Sequence, residues 1–303
     1  MEKYKHASAI PAASDRKCGR RVVLKSAAGL WAVSAFGRAT LPRPGCQANA
    51  WDLDPGRFDL LLTAIGEMKQ LQFQGFETNI RFIQPQLNSW AEAKAQIDAF
   101  GLEFIGAHTS LPRYDKTGMQ DAADKISTLA GQAKQFGAHA LVVSNSMLRT
   151  GDFQQALNAK VKMLDLAGER CARVGLTLAY HNHEPEFRDN AAEETALVER
   201  TNPRLVGLML DIGHAWRAYP DAVGFFEKHQ ARVFGLHVRD YRNNESVPLG
   251  DGEFPLRDLA ASIRRTGWHG WLIDEEERPK LASKPGKAAT GPSRETMRKV
   301  FGV

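Results

Sequence analysis

From residue 46 to the C-terminus the chain repeats one unit: a short, mostly apolar run followed by a longer stretch with apolar residues at helical spacing. The first four pairs are "GCQANAW" with "PGRFDLLLTAIGEMKQLQ", "GFETNIRFI" with "SWAEAKAQIDAFG", "LEFIGAHTS" with "GMQDAADKISTLAGQAKQFG", and "AHALVVSNS" with "GDFQQALNAKVKMLDLAGERCARVG". The last four are "LTLAYHNH" with "AAEETALVERTNP", "LVGLMLDIGH" with "PDAVGFFEKHQA", "RVFGLHVRD" with "PLRDLAASIRRTG", and "GWLIDEEE" with a weak helix around "SRETMRKVFG". Strands alternating with amphipathic helices build parallel sheets, because a parallel neighbour needs a connection long enough to be a helix. Eight such pairs in about 250 residues predict an α/β protein with a single (β/α)8, or TIM-barrel, domain over residues 46–303. A doubly wound open sheet is the competing arrangement, disfavoured because no glycine-rich phosphate loop follows the first strand.

Ahead of the repeat the composition changes. Residues 1–45 hold nine Lys/Arg and two acids, whereas the remainder holds 31 basic and 33 acidic residues. The formal net charge of +5 therefore belongs to the N-terminus. The body carries no electrostatic footprint for nucleic acid. "GRRVVLKSAAGLWAVSAFG" has the layout of an export signal, a basic start and then a mildly apolar run. It resembles a twin-arginine signal of the pattern S/T-R-R-x-F-L-K: Arg20, Arg21, Leu24 and Lys25 agree, while Gly19 and Val23 depart. The resemblance implies an exported, periplasmic protein in which residues 1–45 are signal and linker. Cleavage is expected near Gly37–Ala39, because a cut after the "ANA" at 48–50 would remove the first strand. The apolar run from Ser26 to Phe36 is far shorter than the roughly 20 residues of a membrane span, so no stable membrane anchor is expected. Of three cysteines, Cys18 would leave with the signal, and Cys46 and Cys171 read as buried thiols.

In a (β/α)8 barrel the C-terminal strand ends face one mouth, where the active site forms. Residues at those ends are therefore neighbours in space: Gln47, Asn49 and Trp51; Glu77 and Arg81; His108; Ser144 and Asn145; the "YHNHEPEF" stretch with Glu186; Asp211 with His214; His237 with Arg239; and Glu275. Four of them offer a metal ligand on successive strands, namely Glu186, Asp211, His237 and Glu275, separated by 25, 26 and 38 residues. Alternation puts Gly207, Met209 and Asp211 on one face, likewise Val233, Gly235 and His237, and Trp271, Ile273 and Glu275. Three carboxylates and an imidazole suit one divalent ion, Mn²⁺, Mg²⁺, Co²⁺ or Zn²⁺. His181 and His183 share a face, and of the two His183 is favoured for the mouth.

"YHNHEPEF", "LMLDIGHA", "GLHVRD", "LGDGEFPL" and "GWLIDEEE", in this order, resemble the sugar phosphate isomerase/epimerase family of the xylose-isomerase-like barrels, from the fifth strand to the eighth. The first half is similar mainly in layout. The resemblance implies metal ligands at the Glu of H-N-H-x-x-E (Glu186), the Asp of D-x-G-H (Asp211), the His of H-V-R/K-D (His237) and a strand-eight glutamate. Glu275 is chosen for the last over Glu276 and Glu277 from the alternation. His214 matches a substrate-contacting histidine, and Arg239 stands where the family often has lysine. His183, His108, Glu77 and Trp51 are further candidates for the substrate pocket, although Arg239 could instead pair with Asp240 or Glu245.

Moving a proton beside a carbonyl calls for a cation near the developing enediolate and for carboxylates that remove and return the proton. Glu186 and Glu275 are the expected catalytic pair. The expected function is a metal-dependent isomerase or epimerase of a small sugar, unphosphorylated because free sugar phosphates are mainly cytoplasmic. The alternative is a lyase or dehydratase acting on 3-keto-glycosides or related keto-sugars, and less favoured is a sugar-binding protein without turnover. DNA repair on the related endonuclease IV barrel is disfavoured by the slightly acidic body and the export signal.

Overall fold

The computed structural model describes residues 41–144, 152–276 and 286–303. The twin-arginine stretch, Cys18, the expected cleavage site, Asn145 and Glu277 lie outside the described residues. No helix among the described residues is long and apolar enough to cross a membrane.

Eight parallel strands close into a barrel: β1 (Arg43–Gln47), β2 (Gly75–Asn79), β3 (Glu103–Ser110), β4 (Ala140–Ser144), β5 (Thr177–His181), β6 (Val206–Asp211), β7 (Val233–Val238) and β10 (Trp271–Asp274). They are hydrogen-bonded in chain order, and β10 closes on β1 with Cys46 opposite Asp274. Helices α1 (Phe58–Gln70), α2 (Trp90–Asp98), α3 (Tyr114–Thr117), α4 (Met119–Gln135), α5 (Phe153–Arg173), α6 (Arg188–Arg200), α7 (Ile212–Ala218), α8 (Ala222–His229), α9 (Leu256–Thr266) and α10 (Lys287–Phe301) fill the crossovers. The expected (β/α)8 architecture is the observed one.

Period-two alternation divides the apolar residues into two cores. Outward-facing Phe76, Leu141, Leu178, Leu208, Leu236 and Leu272 pack in the large layer between sheet and helices. Inward-facing Ile105, Ala140, Val142, Ala179, Met209, Trp271 and Ile273 form a separate plug inside the barrel. Trp271 fits there because β1 and β2 present glycines: a Cβ on Gly75 would stand 2.8 Å from the Trp271 ring, and one on Gly45 would stand 2.5 Å from Ile105 Cδ1. This dry plug is the floor on which the polar mouth rests.

Three boundaries differ from expectation. The first strand begins at Arg43, and "ANA" forms a 3₁₀ turn held by Gln47, whose side chain accepts from Asn49 N–H at 2.9 Å. Arg81 likewise lies in a 3₁₀ turn beyond β2. The last helix starts at Lys287 and runs through Pro292, so the proline does not delimit it. Between β7 and α9 the chain adds a hairpin, β8 (Asp240–Arg242) and β9 (Glu245–Val247), turned by Asn243 and Asn244, both at positive φ. The Asp240 carboxylate accepts N–H bonds from Gly250, Gly252 and Phe254 at 2.9–3.0 Å. That cap explains why "HVRD" and "LGDGEF" occur together, since a Cβ on Gly252 would collide with Asp240 Oδ1 at 2.1 Å.

Candidate metal centre

At the C-terminal ends of β5, β6, β7 and β10 the inward-facing positions carry His181, Asp211, His237 and Glu275. Each offers one ligand atom, and the four atoms lie within 4.8 Å of one another. All four side chains are buried. The structure thus brings together Asp211, His237 and Glu275 of the expected set, with His181 in the fourth place.

Each carboxylate divides its two oxygens between an anchor and the site. Asp211 is the last residue of β6 and the N-cap of α7, and its Oδ1 accepts His214 N–H at 2.7 Å. Its Oδ2 lies 2.8 Å from Arg239 Nε. Asn182 clamps the Asp211 backbone from both sides, its Oδ1 accepting Asp211 N–H at 2.9 Å and its Nδ2 donating to Asp211 O at 3.0 Å. That role gives the middle residue of H-N-H a purpose the sequence reading missed. Glu275 Oε1 accepts from Asn49 Nδ2 at 3.0 Å, while its Oε2 faces His237 Nδ1 at 2.5 Å and Arg239 Nη2 at 2.6 Å. Arg239, expected either to touch substrate or to pair with Asp240 or Glu245, instead joins Asp211 to Glu275.

Glu186 is a correction. Its Oε1 accepts from Tyr180 OH at 2.7 Å and lies 3.6 Å from Lys160 Nζ, and its Oε2 accepts His183 N–H at 3.2 Å. Tyr180 points out of the barrel because His181, its neighbour on β5, points in. Glu186 sits five residues past the end of the strand, in a 3₁₀ turn, and joins a buried cluster with Lys160 of α5 and Glu193 of α6. It is therefore absent from the group that could hold an ion. The signal that identifies His181 was available: Asp211 ends β6, His237 is the last inward residue of β7, Glu275 lies one past β10, and His181 ends β5 with Ala179 on its face.

Trp51 is a second correction. Its Nε1 donates to Glu67 Oε2 of α1 at 2.7 Å, and a Cβ on Gly286 would stand 2.7 Å from that nitrogen, so Trp51 packs beside α1 and the start of α10. Glu77, expected against substrate, is fully buried on β2, its Oε2 2.7 Å from His237 Nε2 and 3.1 Å from His108 Nε2. His183 and His214 are half-buried. Their rings continue the imidazole array outward, His181 to His183 at 4.9 Å and His183 to His214 at 5.3 Å, ending on Tyr241, whose OH is 3.2 Å from His214 Nδ1.

The electrostatics follow from this burial. Burial opposes a charge on His237, but the facing carboxylates of Glu275 and Glu77 outweigh it and hold the imidazole up at about 10. Burial pushes Glu275 up, yet Arg239 and His237 pull it well below the usual carboxylate range, so it is ionised at neutral pH. Burial, reinforced by His237, drives His181 well below its ordinary value and keeps it a neutral, lone-pair imidazole.

Residues 65–300 match the xylose isomerase-like TIM barrel family. The chain belongs to this family. An inosose dehydratase of Lacticaseibacillus casei is 27% identical over 142 residues, 40% of this chain and 47% of the dehydratase. The chain thus spans about half the length of the curated relatives it matches first. Among solved structures, the IolI protein with a bound zinc atom has a TM-score of 0.71 at 14% identity, covering 86% of this chain and 98% of that one. A 3-keto-D-glucoside 4-epimerase from E. coli has a TM-score of 0.64 at 15% identity, covering 86% of this chain and all of that one. At such identities the structural likeness is one of fold.

The donor set itself fits a divalent cation. Ligands at about 2.0–2.4 Å from a shared ion lie no more than about 4–5 Å apart, the span observed for the four atoms. His181 Nδ1 is buried without a hydrogen-bond partner, an arrangement that costs free energy unless a ligand completes it.

Proposed function

We propose that this protein is a divalent-cation-dependent enzyme that removes the proton next to the carbonyl of a small, unphosphorylated sugar or keto-sugar, acting as an isomerase or epimerase. The observation that carries this reading is the convergence of Asp211, Glu275, His181 and His237 on one buried point at the barrel mouth. A cation held there supplies positive charge for the oxygen that becomes anionic as the proton leaves. Glu275, ionised and fixed by Asn49 on one oxygen, is the base. Arg239 adds a second fixed positive charge beside both carboxylates. His183 and His214, half-buried at the rim, are placed to hand a proton back or to a leaving oxygen. With a second imidazole where a carboxylate was expected, the donors favour Zn²⁺, Co²⁺ or Mn²⁺ over Mg²⁺.

Elimination is the second reading, and one specific observation favours it. Epimerisation by two flanking carboxylates needs an acid on each side of the substrate, and Glu186, the expected partner of Glu275, faces away. A carboxylate base paired with an imidazole acid suits loss of a β-hydroxyl or glycosidic oxygen, and the sequence likeness to inosose dehydratases supports that outcome. Export through the twin-arginine route remains part of the proposal and is the reason for an unphosphorylated substrate. The test supplies 3-keto-glycosides and keto-sugars in deuterated water, with and without chelator. Chelator-sensitive deuterium incorporation with an epimerised or isomerised product supports the first reading, and released aglycone or water the second. Binding without exchange or elimination across the panel would overturn both.

A further inference from the structure

A second possible ligand group overlaps the first. Glu77, His108 and His237 also offer atoms within 4.8 Å of one another, and His237 belongs to both groups. Its two ring nitrogens face opposite ways: Nδ1 looks to Glu275 Oε2 at 2.5 Å, and Nε2 looks to Glu77 Oε2 at 2.7 Å. A cation bound by the ring takes the place of a proton on one nitrogen, so the ring gives a ligand to one side and must still donate its remaining N–H to the other. The Nδ1 side holds two carboxylates and a second imidazole. The Nε2 side holds one carboxylate and the His108 imidazole, and the 2.7 Å separation from Glu77 Oε2 is that of a charge-assisted N–H···O bond.

We infer that Glu77 is a positioning residue that accepts the Nε2–H of His237 and thereby turns the Nδ1 lone pair toward His181, Asp211 and Glu275. The inference rests on the metal-dependent reading above. Three features of Glu77 make it suited to this task and to little else. It is wholly buried, so substrate does not reach it. Its Oε2 is shared with His108 Nε2 at 3.1 Å, which pins the carboxylate, and its Oε1 has no hydrogen-bond partner. Finally, β3 makes room for it with Gly106, where a Cβ would stand 2.8 Å from Glu77 Oε1. The register shift between Phe76 and Glu77 brings that glycine opposite it.

Calorimetric titration of chelator-treated protein with Zn²⁺ and with Mn²⁺, joined to ¹⁵N NMR of the histidine rings in the Zn²⁺-loaded wild type, tests this. One ion per chain is expected, with His237 protonated at Nε2 and coordinated through Nδ1, and His108 protonated at Nε2. Glu77→Gln should weaken Zn²⁺ binding about 10–100-fold, the usual cost of losing a partner behind a metal-bound histidine, and should lose the fixed His237 tautomer. Two ions per chain, or His237 coordinating through Nε2, would overturn the inference in favour of a second cation between Glu77 and His108. One ion in the wild type with unchanged affinity in Glu77→Gln would overturn it while leaving the proposed function intact. No ion in the wild type would sink the metal-dependent reading and this inference together. If Glu77→Gln does not fold, the wild-type tautomer decides alone, because a purely structural role for Glu77 leaves it unspecified.

Discussion

Glu186→Gln and His181→Ala separate the structural carboxylate from the ligand imidazole. Glu186 makes two hydrogen bonds, from Tyr180 OH and His183 N–H, and its charge faces Lys160 Nζ at 3.6 Å, beyond hydrogen-bond reach. A glutamine oxygen can keep one of the two bonds, so the loss is about one charge-assisted bond, roughly 1.5–3 kcal/mol. Against this, removing one negative charge relieves Glu194, which Glu186 helps to hold in its protonated form. Lys160 keeps Glu193 at 2.6 Å, so no buried cation is stranded. The net expectation is a destabilisation of about 1–2 kcal/mol, or a melting temperature lower by roughly 2–8 °C for a domain of this size, with Zn²⁺ affinity within about threefold of wild type. His181→Ala removes a ligand outright and should cost more than the roughly 100-fold upper range for an outer partner. Calorimetric Zn²⁺ titrations and thermal melts on both chelator-treated variants supply the numbers. Metal binding destroyed in Glu186→Gln at unchanged melting temperature, or preserved in His181→Ala, would refute the assignment.

Three other outcomes are expected. Glu194 is fully buried, and burial, then the nearby Glu186, raises its carboxyl to about 8. Between about pH 5 and 8 the folded state therefore holds a proton that the unfolded chain has released, and stability should fall as pH rises by roughly 1.4 kcal/mol per unit. Denaturant melts across that window should show the slope in the wild type and its loss in Glu194→Gln. In "DIGH", a Cβ on Gly213 would stand 2.4 Å from Arg239 Cγ. Gly213→Ala should displace the arginine from Asp211 and Glu275, costing about 1–3 kcal/mol of stability and most of the turnover. Adding Arg239→Ala should then change activity little, and full additivity in that double-mutant cycle would refute the coupling. Changing both Arg20 and Arg21 to Lys should stop export of a reporter carrying residues 1–45, as read by periplasmic fractionation; unchanged export would rule out the twin-arginine reading.

The alternation of strand and helix, the barrel it implies, and the inward direction of Asp211, His237 and Glu275 were all legible in the sequence. The reason is local: backbone sterics impose a period of two on a strand and 3.6 on a helix, and a residue within or next to a strand inherits its direction from the pleat. Past the end of the strand that constraint lapses. Glu186, in a 3₁₀ turn beyond β5, takes its direction from Tyr180 and from Lys160, which only the packing of α5 against the sheet brings within reach. His181 kept the direction of its strand and so took the place that motif spacing had given to Glu186. Glu77 and His237, 160 residues apart in the chain, meet because the barrel closes, and no local pattern carries that information. Side-chain direction within an element is a short-range property of the chain, whereas the choice of electrostatic partner across a core belongs to the tertiary fold.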